Sequence, residues 1–143
     1  MRVATGSDHA GYHLKELIAE RLAERGHEVV DLGAHSEDRV DYPDYGAAVG
    51  RAVAGGGADL GVCVCGSGIG IAMAANKISG IRAAVVHDAT SAALARQHND
   101  ANVVCFGQRL IDGGTALVAL DAFLDASFEG GRHTGRVAKL DAL

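Results

Sequence analysis

Apolar residues along the chain alternate between two rhythms. Short apolar-rich runs recur at Val3 to Gly6, Glu28 to Leu32, Leu60 to Val64, Arg82 to Val86 and Asn102 to Phe106. Runs of this length, bounded by glycine and polar residues, predict buried strands. Between them the apolar positions spread to helical spacing. Leu14, Leu17, Ile18 and Leu22 stand at i, i+3, i+4 and i+8, one face of a helix that Gly26 closes at its C′ position. Pro43 suits the first turn of a second helix and Asp44 its positive end. That helix carries Ala47 to Val53 and stops at Gly55-Gly56-Gly57. A third begins near Ile71 and ends near Gly80. Asp88 is an N-cap for a fourth, which ends at Gln97-His98-Asn99-Asp100. A fifth carries Leu117, Leu120 and Leu124. The longest polar stretch, Gly33 to Tyr42, reads as an exposed loop.

Strands alternating with helices imply an α/β fold, a parallel sheet covered on both faces. No repeat, linker or low-complexity segment interrupts residues 1–143, so a single domain is expected. Ligands of such sheets bind beyond the carboxyl ends of the strands. Polar candidates fall there: Asp8 and His9 after the first strand, Cys65 to Gly70 after the third, and Arg109 after the fifth. His98 and Asn99 instead end a helix, at the opposite edge of the sheet and too far from Cys65 within one subunit. A partner subunit would resolve that mismatch.

Composition narrows the classes. Aromatics are 4% of the chain, too sparse for base-stacking nucleic-acid platforms, and a net charge of −5 argues against a general polyanion binder. No apolar run reaches the ~18 residues of a membrane span, and the start lacks a signal-like apolar segment. The three cysteines, Cys63, Cys65 and Cys105, lie in apolar runs rather than in a disulfide framework. A cytoplasmic setting is the simplest expectation. Cys63-x-Cys65 has no second ligand pair at suitable spacing, so no metal is expected.

The richest chemistry lies in Cys65-Gly66-Ser67-Gly68-Ile69-Gly70, a strand-to-helix turn. Its glycines admit positive φ and close approach of a ligand. The amides at the helix start favour an anion, and a helix start also stabilises a thiolate. The spacing G-x-G-x-G breaks the dinucleotide fingerprint, because Ile71 stands where its third glycine belongs, and the turn lacks the lysine of a P-loop. Cys63 and Cys105 read as inert core residues. Of seven histidines, His9 and His98 stand out by their polar neighbours Asp8 and Asn99, and the others read as surface or capping residues. Arg132 and Arg136 lie four apart, on one face if helical, either a solvated face or a phosphate clamp.

Six motifs in one order resemble a known family. They are Gly6-Ser7-Asp8-His9-Ala10-Gly11, Asp41-Tyr42-Pro43, Cys65 to Gly70, Ala74-Ala75-Asn76-Lys77, Arg96-Gln97-His98-Asn99-Asp100 and Glu129-Gly130-Gly131-Arg132-His133. Together they are similar to ribose-5-phosphate isomerases of type B, a family that includes galactose-6-phosphate isomerase subunits. The resemblance implies a three-layer α/β/α Rossmann-like sandwich with a five-stranded parallel sheet. It implies no cofactor and no metal. It also implies a homodimer or dimer of dimers with shared sites, the 129–143 tail packing on the partner.

By that resemblance Cys65 is the base that moves a proton between C2 and C1, and His98 helps to open the furanose. Ser67 stands where some relatives have Thr, near O1 and O2. Asp8, His9, Gly66, Gly68, Ile69, Gly70 and Asn99 match substrate contacts, and Arg109, Arg132 and Arg136 match phosphate contacts. A branch using Glu as base has it at the position of Ile71, so this chain looks like the cysteine branch. The implied reaction interconverts ribose 5-phosphate and ribulose 5-phosphate. A close variant acts on allose 6-phosphate or galactose 6-phosphate. A non-catalytic nucleotide- or sugar-phosphate-binding module is the alternative of a different class, and an inactive subunit of a hetero-oligomer is a third.

Overall fold

The computed structural model describes every residue from Met1 to Leu143. Strand β1 (Arg2–Ser7) leads through a short 3-10 turn (His9–Gly11) into helix α1 (Tyr12–Glu24). Then follow β2 (Glu28–Asp31), α2 (Tyr42–Ala54), β3 (Leu60–Cys65), α3 (Ile69–Asn76), β4 (Ala83–Val85), α4 (Ala89–Asn99), β5 (Val103–Gly107) and α5 (Gly113–Asp125). A second 3-10 turn (Gly131–His133) opens the last helix, α6 (Thr134–Asp141). The five strands are all parallel, in the order β2-β1-β3-β5-β4. The expected three-layer sandwich is the observed fold.

β3 lies at the centre because its residues are apolar towards both layers, and all six are buried. Its register decides which layer each side chain meets. Val62 and Val64 pair with Val104 and Phe106 and face the core beneath α1, α4 and α5. Cys63 and Cys65 pair with Cys105 and Gly107 and face the core beneath α2 and α3. From β1 the chain steps outward to β2, then returns to β3 on the other side of β1. The carboxyl ends of β1 and β3 therefore flank the point where the winding reverses, where open α/β sheets form a crevice.

Helix α1 departs from its simple apolar face at one residue. Leu14, Ile18 and Leu22 are buried as expected, Leu17 is half-buried, and Lys15 is fully buried. Its Nζ donates to Glu16 Oε1 at 2.8 Å and to both Asp31 carboxylate oxygens at 2.9 Å. Burial pushes the ammonium down, but these bonds outweigh it and hold it above the usual lysine value. Asp31 also accepts the Gly33 N–H at 2.9 Å, and the Gly33 carbonyl accepts the Ser7 N–H at 2.7 Å. This pair of buried lysine and exposed carboxylate thus fixes the end of β1, where Asp8 and His9 begin.

Several boundaries moved for local reasons. α3 starts at Ile69 rather than Ile71, because Gly68 takes a left-handed φ of 77° and closes the turn directly onto the helix. α3 stops at Asn76, well before Gly80. The Asn76 amide donates to the Ala83 carbonyl at 2.9 Å and accepts the Ala83 N–H at 2.8 Å, capping the edge strand β4. Asp88 caps α4 as predicted, accepting the Ser91 N–H at 2.7 Å. No helix is long and apolar enough to cross a membrane.

Candidate active site

One group of candidate residues meets at the carboxyl ends of β1, β3 and β5. Cys65 ends β3 and is 4% exposed. The left-handed Gly68 turns its own N–H back, and it donates to Cys65 Sγ at 3.1 Å. Only glycine fits: a Cβ there would lie 2.8 Å from the Phe106 carbonyl carbon. Ser67 Oγ accepts the Ile69 N–H at 3.2 Å. The Gly70 and Ile71 amides precede the first bond within α3, which Ala72 donates to Gly68, so the helix offers them no acceptor. The sulfur therefore stands in the positive end of a helix with one amide already on it.

Neighbouring strands complete this end. The Gln108 and Arg109 amides donate to the carbonyls of Cys65 and Gly66 at 2.9 and 3.0 Å. The exposed Arg109 guanidinium lies over Gly66, with Nη1 3.2 Å from where a Cβ would stand. Asp8 is 6% exposed, and its carboxylate accepts the Gly11 N–H at 3.0 Å. His9 is half-buried and its Nδ1 accepts the Val40 N–H at 3.2 Å. That bond ties the Gly33 to Tyr42 loop to the site. Cys63 and Cys105 are fully buried behind it, and a hydrogen bond with Cys63, together with burial, pushes the Cys105 thiol well up. Both fit the inert reading.

The second group assembles at the far end. α4 runs against the strands, so His98 and Asn99 in its last turn lie near the amino end of β5. A six-residue strand such as β3 spans about 20 Å, and Cys65 stands at its other end. Within one chain the two groups are not brought together. The Arg82 and Arg96 guanidiniums bind Asp100 at 3.3 and 2.9 Å and fix the end of α4. The Glu129 N–H donates to the Gln97 carbonyl at 3.0 Å and docks the tail there. Arg132 lies in the second 3-10 turn and Arg136 in α6, both exposed. Asp141 at the end of α6 pairs with Arg82 at 2.7 Å.

His133 belongs to the scattered histidines most of which read from sequence as surface or capping residues; it stands at the N-cap of α6, yet it is only 6% exposed. Its ring stacks on that of His98, with centroids 4.3 Å apart and planes 14° from parallel. Glu129 Oε2 stands 3.9 Å from Nε2 of each ring. Burial, with His98 beside it, pushes the His133 imidazole down from its usual value. The one sequence signal was the i, i+4 spacing of Glu129 and His133 within a quoted motif. The ligand atoms of these three groups lie within 4.8 Å of one another. Nearly parallel rings, however, aim their in-plane lone pairs side by side rather than at one ion. A cavity of about 600 Å³ opens nearby, between the end of α3, the start of β4 and α6, with Asn99 on its wall. It is remote from Cys65, and its Asn76 and Arg82 side chains are committed to the fold.

Comparison with known proteins gives a consistent result. The family model described as Ribose/Galactose Isomerase matches residues 3–140. Ribose-5-phosphate isomerase B of Escherichia coli is 49% identical over 142 residues, covering 99% of this chain and 95% of that protein. The solved structure of Clostridium thermocellum ribose-5-phosphate isomerase B superposes with a TM-score of 0.98 at 48% identity, covering 99% of this chain and 96% of that one. That of the Mycoplasma genitalium enzyme with bound ribulose-5-phosphate gives 0.94 at 42% identity, covering 99% and 94%. With matches that run nearly from end to end in both sequence and fold, the chain belongs to the ribose/galactose isomerase family.

Proposed function

We propose that this protein interconverts ribose 5-phosphate and ribulose 5-phosphate, with Cys65 as the base. The observation that carries this reading is the Cys65 sulfur at the start of α3, accepting the Gly68 N–H at 3.1 Å. The sulfur there lies beside the free amides of the helix start, where the charge of the reaction would develop. The site is shared in a homodimer or dimer of dimers, the 129–143 tail lying on the partner. The slight apolar contact of α6 with its own chain supports this, since Val137 is the one buried residue of that helix. Exposed Ile69 and Met73 on α3 and exposed Leu140 on α6 offer apolar surface for the contact. Three free cysteines suit a cytoplasmic setting.

The chemistry proceeds in two stages. His98 of the partner subunit takes the proton from O1–H and returns it to the ring oxygen as the C1–O4 bond breaks. The open-chain aldehyde then lies over the glycine turn. The Cys65 thiolate removes the proton from C2, and charge develops on O1. The amides of the turn stabilise that charge without reorganising. Ser67 relays the hydroxyl proton from O2 to O1, and the Cys65 thiol returns its proton to C1, leaving the ketone at C2. Asp8, His9, Asn99 and the Gly66 to Gly70 backbone hold the hydroxyls. Arg109, Arg132 and Arg136 grip the phosphate and so orient C1 and C2. Every step is a proton transfer, so none calls on a cofactor.

A substrate panel tests the reading. The purified protein should isomerise ribose 5-phosphate with a higher kcat/KM than allose 6-phosphate or galactose 6-phosphate. A preference for a six-carbon substrate would reassign the sugar. Tight binding of a sugar phosphate or nucleotide with no isomerisation of any substrate would replace the enzyme by a binding module.

A further inference from the structure

His98 does not stand alone at the end of α4. Its ring lies flat on His133, from the second 3-10 turn, with centroids 4.3 Å apart. His133 is 6% exposed, and its Nε2 is buried with no hydrogen-bond partner. A buried, unpartnered polar atom in a folded protein calls for an explanation. Glu129 supplies the third wall, 3.9 Å from Nε2 of both rings. Its own backbone is pinned to α4 through the Gln97 carbonyl. A cation between the rings is a poor explanation, because parallel imidazoles cannot both point an in-plane lone pair at it.

We propose that Glu129 and His133 are positioning residues for His98, His133 as the flat platform that fixes its ring plane and Glu129 as the carboxylate that balances its charge. The inference rests on the isomerase reading and deepens it. While the ring-opening proton sits on His98, that ring is an imidazolium. The Glu129 carboxylate, 3.9 Å from His98 Nε2, is placed to pair with that charge, and the His133 ring lies flat beneath it. A second imidazolium would repel it, and burial keeps His133 from becoming one. Arg132 and Arg136 also face this pair and press His133 towards the neutral form. The same two arginines are the proposed phosphate grip, so the tail brings phosphate and ring-opening group to one place. Neither positioning residue touches the proton moved by Cys65, and that separation makes the inference testable.

The experiment compares two rates in folded Glu129→Gln, His133→Ala and His133→Phe proteins. One is net turnover of ribose 5-phosphate, which needs ring opening. The other is exchange of the C1 hydrogen of ribulose 5-phosphate in D2O, followed by NMR, which needs the Cys65 step alone. A well-placed acid–base group contributes about 10²–10⁴-fold, so losing its placement while keeping the group should cost turnover about 10- to 100-fold. Exchange should stay within about threefold of wild type in all three variants. His133→Phe keeps a flat face and should retain most of the turnover that His133→Ala loses. Glu129 is half exposed, so Glu129→Gln should fold even if an alanine at His133 does not. Turnover and exchange falling together, or neither falling, would overturn the inference while the isomerase reading stands. A wild-type protein that exchanges and turns over nothing would overturn the reading itself.

Discussion

The two ends of the sheet carry chemistry in different materials. At the carboxyl end the main chain does the placing: the Gly68 amide sits on Cys65 Sγ, and the Gln108 and Arg109 amides grip the carbonyls of Cys65 and Gly66. At the amino end the placing is done by side chains, the His98 ring on His133, Glu129 beside both, and two exposed arginines. The difference follows from the tasks on the proposed reading. Charge developing on an enediolate is best met by dipoles that do not relax, and backbone amides at a helix start are such dipoles. Carrying a proton and gripping a phosphate call for titratable rings and long cationic arms. One chain holds both halves but separates them by the length of the sheet, so on the proposed reading each site takes one half from each of two copies.

The sharpest way to break that comparison is to remove one half from each of two copies. Cys65→Ala should reduce turnover at least about 10³-fold while leaving binding intact, since a nucleophile or base of this kind is not replaced by water. His98→Ala should lose ring opening. Mixing the two inactive proteins under conditions that exchange subunits should restore about a quarter of wild-type activity, because about half of the dimers are mixed and each holds one intact site. No recovery, in a mixture shown to contain mixed dimers, would mean that each chain uses its own Cys65 and His98.

Next in size is a contrast of rigidity. Gly68→Ala puts a non-glycine residue at φ 77° with its Cβ 2.8 Å from the Phe106 backbone. A left-handed conformation costs a non-glycine residue about 1–3 kcal/mol, and the overlap adds to it, so both melting temperature and kcat should fall. Arg132→Met at the other end removes an exposed cation that has no protein partner among the ion pairs. It should leave the melting temperature unchanged and raise KM about 10-fold, the scale of one charge-assisted hydrogen bond. Unfolding by the arginine change, or a pure KM effect from the glycine change, would reverse the assignment of materials to the two ends.

This same division explains what could be read from the sequence. The carboxyl-end group is written in consecutive residues, a buried run followed by glycines, so Cys65 to Gly70 and the strand-to-helix turn were legible. The sheet and its helices were legible through β3 and the apolar face of α1. What escaped depended on partners distant in sequence. Lys15 occupies a core position because Asp31 on β2 meets it there. His133 is buried because α4 and the tail close on it, and no periodicity in an isolated tail announces that. The separation of His98 from Cys65 was legible, because a helix that follows a strand must run back to the sheet's other end.

The smallest expected effect comes in acid, at the caps of two helices of which only one carries a candidate residue. Asp88 caps α4, which carries His98, and hydrogen bonds from the Ser91 backbone and side chain hold its carboxylate below the usual value. Asp112 caps α5, which carries no candidate, and Thr115 does the same for it. A carboxylate whose pKa is depressed by folding stabilises the fold above the unfolded value of about 4, and that contribution fades as pH falls through the folded value. Asparagine keeps the capping acceptor and removes the titration. Asp88→Asn and Asp112→Asn should therefore each flatten the decline in melting temperature below about pH 4, with little change at pH 7. If capping of α4 also holds the His98 half in place, Asp88→Asn should preserve phosphate-ester binding below about pH 4 better than Asp112→Asn does. A steeper acid decline in either variant would show that the caps act through something other than the bonds from Ser91 and Thr115.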